Sequence, residues 1–192
     1  MKTIPDAAVF DFIHAYFQCA LWSSTSTEYL NKYRHCGQEW EDRWSCACND
    51  KCPVCDKEIE PYESEEMDCN LDDHYSMDDL DDEFRAEQEQ ECRAFLEDAG
   101  KMIAEEILLQ WNSGKEIIAS ESGPIPRELL RTHKRELTYA SAGHDFWLTR
   151  VGHGAGFWDG DWPKNGDALT EICKKYKEID LYVGDDGKIY GS

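Results

Sequence analysis

Positive charge is what the chain has least of. Against 41 Asp or Glu it carries only 20 Lys or Arg, giving 192 residues a net charge of −21. Such a surface repels DNA, RNA and anionic membranes and draws basic partners over long range, which argues against direct binding of nucleic acid or membrane. Long apolar runs are missing too. Residues 1–22 are apolar in a helical rhythm, yet Asp6, Asp11 and His14 interrupt them, and the single Lys2 makes no basic start. No signal peptide, transit peptide or membrane span is therefore expected, and the expected compartment is the cytosol. Also absent are a nucleophile elbow, a phosphate loop and a His-Glu-x-x-His pair, motifs that would point to particular enzyme chemistries.

What is present supports a folded core. The chain is 41% hydrophobic, with seven Trp and nine Tyr, which argues against wholesale disorder. Its length suits one ordinary domain, or one domain with a small insert.

Nine cysteines in a reducing compartment argue against a disulfide framework, and five of them fall between Cys36 and Cys55. Cys52-Pro53-Val54-Cys55 looks like a zinc knuckle, a tight turn that aims two thiolates at one tetrahedral ion. Cys46 and Cys48 are the expected remaining ligands, with Cys36 or His35 in reserve. Two residues apart, Cys46 and Cys48 would share a face of an extended strand without turning toward Cys52. Four sulfur ligands would leave no open position, so the expected zinc is structural, supplying folding energy to a segment with little hydrophobic mass. No thioredoxin-like βαβ pattern surrounds the pair to suggest redox chemistry.

The acidity is concentrated. From Asp56 to Glu91, 17 Asp or Glu face only Lys57 and Arg85, leaving a net −6 for the other 156 residues. Leu80, Phe84, Cys92, Phe95/Leu96, Ala99, Met102/Ile103 and Ile107 form an apolar stripe, which predicts a long helix broken near Gly100 or two abutting ones. Ser76 is its expected cap, and Asn112-Ser113-Gly114 its expected end. The opposite face would present carboxylates able to stand in for phosphates on a basic surface; a solvated face is the ordinary use of such a pattern. The candidate partner-binding residues are Asp68, Asp72, Asp73, Asp78, Asp79, Asp81, Asp82, Glu83 and Glu87. Asp72-Asp73 and Asp78-Asp79 lack the spacing and glycine of an EF-hand loop.

Elsewhere, Val9, Phe12/Ile13, Tyr16/Phe17 and Ala20/Leu21 predict an N-terminal helix ended by the hydroxyl run from Ser23 to Thr27, with His14 packed rather than ligating. Pro126 would open a short basic helix carrying Arg127, Arg131, Lys134 and Arg135. Phe146–Arg150 and Gly156–Trp158 read as aromatic strands around a glycine-rich turn, and Asp167–Tyr176 as a helix. Leu181–Val183 and Lys188–Tyr190 flank Gly184-Asp185-Asp186-Gly187 as a hairpin. The expected class is α+β: N-terminal and acidic helices on a small C-terminal antiparallel sheet with one helix. Residues 1–33 and 65–192 would form one domain, and 34–64 a zinc-knuckle-like insert.

Several of these stretches resemble a family of small proteins carried by phages, plasmids and other mobile elements. The matching pieces are Ile13–Thr27, Tyr75–Leu80, His144–Asp159 and Leu181–Gly187, and Cys48–Ser64 resembles a second short mobile-element motif. The resemblance implies a bacterial host cell and assigns no catalytic residue. Together with the acidity, it leads us to expect a non-enzymatic inhibitor of a host nucleic-acid-handling defence complex, of anti-CRISPR or anti-restriction type, acting by nucleic-acid mimicry. The alternatives are a zinc-stabilised accessory protein without mimicry, and a small enzyme using His144 and His153.

Overall fold

The computed structural model describes residues 4–44, 46–119 and 136–192. The basic helix expected after Pro126 lies outside them. The class is α+β. In chain order come α1 (Asp6–Ser23), β1 (Thr25–His35), β2 (Gln38–Trp44), β3 (Asp50–Lys51), β4 (Glu58–Ile59), β5 (Glu63–Asn70), α2 (Asp82–Ala119), α3 (Tyr139–Arg150), α4 (Gly166–Cys173), β6 (Leu181–Val183) and β7 (Ile189–Gly191). Single 3-10 turns at Leu71–Asp73 and Met77–Asp79 precede α2. The chain divides into two compact units, Met1–Ala20 with Met77–Ser192, and Leu21–Ser76.

The first unit is helical and aromatic. On α1 the three-and-four rhythm buries Phe12, Ile13, Tyr16, Phe17 and Ala20. The stripe on α2 likewise buries Phe84, Cys92, Phe95, Leu96, Ala99 and Ile103. Its cap is Asp81, not Ser76, because the Asp81 carboxylate accepts the N–H groups of Glu83 and Phe84 at 3.0 Å each. The helix runs unbroken through Gly100 and Asn112-Ser113-Gly114 to Ala119. Phe146 of α3 stacks on Phe95 with ring centroids 4.1 Å apart, and Phe12, Tyr16 and Tyr176 surround that pair.

Residues 146–150 form a helix, not the expected strand. Thr138 caps α3 through Ser141, and Ala142, Gly143, Asp145, Phe146, Trp147, Leu148 and Arg150 are all buried. A helix buried on most sides shows no one-sided apolar stripe, so its period disappears from the sequence. It ends at Gly152, which adopts φ +65°, while His153 N–H donates to the Leu148 carbonyl at 2.9 Å in a Schellman closure. Gly156–Trp158 is likewise no strand; it is an irregular turn in which Phe157 N–H donates to Thr149 Oγ1 at 2.9 Å. The α4 helix and the β6–β7 hairpin form where expected.

Polar groups tie this core together. Arg150 of α3 lies 2.6 Å from Glu91 Oε2 and donates to Tyr16 Oη and Gln88 Oε1, each at 2.8 Å, and to the Lys177 carbonyl. Burial pushes the Tyr16 hydroxyl well up despite Arg150 beside it, so it stays a neutral donor to Gln88. Asp145 accepts Trp162 Nε1–H at 2.6 Å, and Glu106 accepts the N–H groups of Lys164 and Asn165 at the start of α4.

The second unit is a three-stranded antiparallel sheet in the order β2-β1-β5, with β3 and β4 as a two-stranded ribbon. Strands β1 and β5 bracket the cysteine segment and share a unit with it, so the unit extends beyond residues 34–64 on both sides.

One contact in the first unit admits a sharp test. A Cβ at Gly143 would run into the Phe12 carbonyl, so α1 and α3 touch backbone to backbone there. Gly143→Ala should lower stability by about 1–3 kcal/mol in urea unfolding. Gly154→Ala, where a Cβ meets open space, should change it little. Equal midpoints would contradict this packing.

Candidate metal centre

Two tight turns build the centre. Between β1 and β2, Cys36 (φ +50°) and Gly37 (φ +74°) both take left-handed backbone, the signature of a type I′ hairpin. The turn holds His35 and Cys36 at the hairpin tip. Between β3 and β4, Cys52 N–H donates to the Lys57 carbonyl and Asp56 N–H to the Cys52 carbonyl, each at 2.9 Å. That loop folds Cys52 and Cys55 toward one point.

Two aromatics tie the turns to each other. Tyr33, fully buried, stacks on Trp40 at 5.3 Å and donates to the Cys48 carbonyl at 2.8 Å. Trp40 Nε1–H donates to Asp50 at the start of β3 at 2.7 Å.

His35, Cys36, Cys52 and Cys55 thereby place one donor atom each within 4.8 Å of all the others, and the cluster can hold a metal ion. His35 Nδ1 is 3.2 Å from Cys36 Sγ and 3.5 Å from Cys55 Sγ, and the latter two sulfurs are 3.6 Å apart. In a tetrahedral site with metal–sulfur bonds of about 2.3 Å and metal–nitrogen bonds of about 2.0 Å, neighbouring donors stand roughly 3.5–3.8 Å apart. The spacing is close to that of a loaded site.

One thiol of the cluster, Cys52, is arranged for deprotonation. Burial alone would raise Cys52, but N–H donors from Val54, His35 and Cys55 outweigh it and bring the thiol down to about 6. Cys36, which donates to Cys55 and has Cys52 nearby, is pushed up to about 11. Successive thiolates repel one another, and a bound cation removes that repulsion.

Of the four sulfurs expected from sequence, the structure brings Cys52 and Cys55 together. Cys46 and Cys48 lie outside the cluster, their sulfurs adjoining each other. Their backbone is pinned along β1, where Asn31 and Tyr33 side chains donate to the Cys46 and Cys48 carbonyls. The reserve ligands, Cys36 and His35, occupy the remaining positions, and the Cys36-Gly37 turn was the sequence signal for them.

The carboxylates do not form one helical row. Asp68 lies on β5, where it accepts Thr27 Oγ1–H at 3.1 Å, and Asp72 and Asp73 lie in the turn after it. These three belong to the Leu21–Ser76 unit. Asp78 and Asp79 sit in the Met77–Asp79 turn, Asp81 caps α2, and Asp82, Glu83 and Glu87 are exposed on its first turns. The run divides because its first half pairs with β1. His144 contacts Asp145 at 3.2 Å, His153 is exposed in the α3 closure, and half-buried His14 stacks on Phe10.

No family profile, curated protein or solved structure matches the chain.

The ligand assignment separates cysteines that sequence alone groups together. Cys36→Ser should lower bound metal, measured by elemental analysis, at least tenfold in occupancy at limiting metal, and Cys52→Ser with Cys55→Ser should do the same. Cys46→Ser with Cys48→Ser should retain it; loss of metal in that variant would put the centre elsewhere.

Proposed function

We propose that the chain is a zinc-stabilised, non-enzymatic inhibitor whose carboxylates dock on the basic surface of a nucleic-acid-handling complex in a bacterial host. The observation that carries this reading is the density of exposed acid on ordered backbone. Strand β5 exposes Glu63, Glu65, Glu66 and Asp68, and the start of α2 exposes Asp82, Glu83 and Glu87. Side chains already held on a strand or helix lose less freedom on docking, and charge of one sign speeds encounter with a basic partner. The same charges disfavour pairing of β5, an edge strand of its sheet, with other chains.

Zinc is the metal best suited to the donors. Three thiols and an imidazole are soft or borderline ligands, unsuited to calcium or magnesium. Four protein ligands close the coordination sphere, as in structural sites. The phage and mobile-element resemblance supplies the biological setting, and defence complexes of the CRISPR and restriction type offer basic grooves of the required kind.

Capture of partners from a bacterial host extract, challenged with salt and with duplex DNA, tests the reading. A nucleic-acid-binding complex should be recovered, then released by either challenge. Two separate sets of charge removals should each weaken capture: Asp68, Asp72 and Asp73→Asn, and Asp82→Asn with Glu83 and Glu87→Gln. Capture that survives salt, DNA and both sets would reject mimicry. The enzyme alternative predicts that His144→Ala and His153→Ala abolish activity while folding is kept.

A further inference from the structure

We propose that Glu28, Cys69 and His74 form a second metal site, which takes a divalent ion of zinc's chemical class and keeps one coordination position open. It is distinct from the four-ligand cluster and does not rest on the docking reading.

The sheet register assembles it. Ser26 of β1 pairs with Cys69 of β5, and Glu28 lies two residues further along β1, on the same face as Ser26. His74 follows the Leu71–Asp73 turn directly, its N–H donating to the Leu71 carbonyl at 3.2 Å. The three side chains offer a carboxylate oxygen, a thiol sulfur and an imidazole nitrogen within 4.8 Å of one another.

Burial supplies the second reason. Glu28 is only 8% exposed, and a carboxylate removed from water demands a compensating charge. Tyr75 Oη–H donates to it at a long 3.3 Å, which does not neutralise it. Ser26 Oγ stands 3.9 Å from Cys69 Sγ. Contacts of this kind orient metal ligands from behind.

Arg43 decides how the site is filled. Its Nη1 lies 2.9 Å from His74 Nε2, and a guanidinium can only donate, so this imidazole nitrogen presents a lone pair. That lone pair can accept from Arg43 or bind a metal, not both, so Arg43 competes with metal at this nitrogen. Mixed sulfur, nitrogen and oxygen donors select a transition metal over calcium or magnesium. With three protein ligands, water or a partner's side chain can take the fourth position.

Titration of the reduced, metal-stripped full chain with cobalt(II), followed by absorption and by zinc competition, tests the proposal. Two equivalents should bind. The tighter should show charge-transfer absorption of three sulfurs, and the weaker that of one. Glu28→Gln, which keeps the side-chain shape, should weaken the second equivalent at least tenfold and leave the first unchanged. Cys69→Ser with His74→Gln should abolish the second. Arg43→Gln should tighten it at least threefold. A single equivalent in the unaltered chain, or a second equivalent that survives Glu28→Gln at full affinity, overturns the proposal.

Discussion

The Leu21–Ser76 unit must hold a sheet together with almost no apolar core, and that constraint shapes everything proposed for it. Its buried hydrophobic side chains are Leu21, Tyr33, Cys52 and Leu71. Between residues 21 and 76 the chain carries 14 Asp or Glu and 5 Lys or Arg, so its surface charge repels itself as well. Each buried apolar side chain contributes about 2 kcal/mol, whereas a structural zinc contributes about 10 kcal/mol or more. A metal at His35, Cys36, Cys52 and Cys55 would cross-link the β1–β2 tip to the β3–β4 loop where packing supplies least. The Met1–Ala20 with Met77–Ser192 unit has the opposite economy, a stacked aromatic core with its buried arginine satisfied on several sides.

Much of the helical unit was legible in the sequence. The rhythms of α1, α2 and α4 follow from one buried face each, and Gly184-Asp185-Asp186-Gly187 announces its hairpin. The α3 helix was hidden because burial on most sides erases the period. Near the His144 and His153 of the enzyme alternative, Asp145 and Arg150 turn inward to Trp162, Tyr16 and Gln88. Burial of charge there serves the packing of three helices.

The sheet was less legible for a related reason. Strand β5 is exposed along most of its length, so no apolar alternation marks it, and the acidic run that contains it resembles a solvated helix face. Cysteine spacing pointed to the loop that carries Cys52 and Cys55 but not to the other two members of the cluster. Nearness in sequence favoured Cys46 and Cys48, whereas the hairpin brings Cys36 and His35 across from β1. A two-residue turn with a glycine, flanked by Tyr33 and Trp40, was the signal that mattered, and it is a statement about pairing, not about metal.

We propose that metal at His35, Cys36, Cys52 and Cys55, not packing, holds the sheet unit together. Backbone hydrogen exchange on the full chain, with and without a strong chelator, reads it most directly. Chelation should remove protection from β1, β2 and β5 while α1, α2 and α3 keep theirs. Unchanged protection across residues 25–70 after the metal is stripped would contradict it.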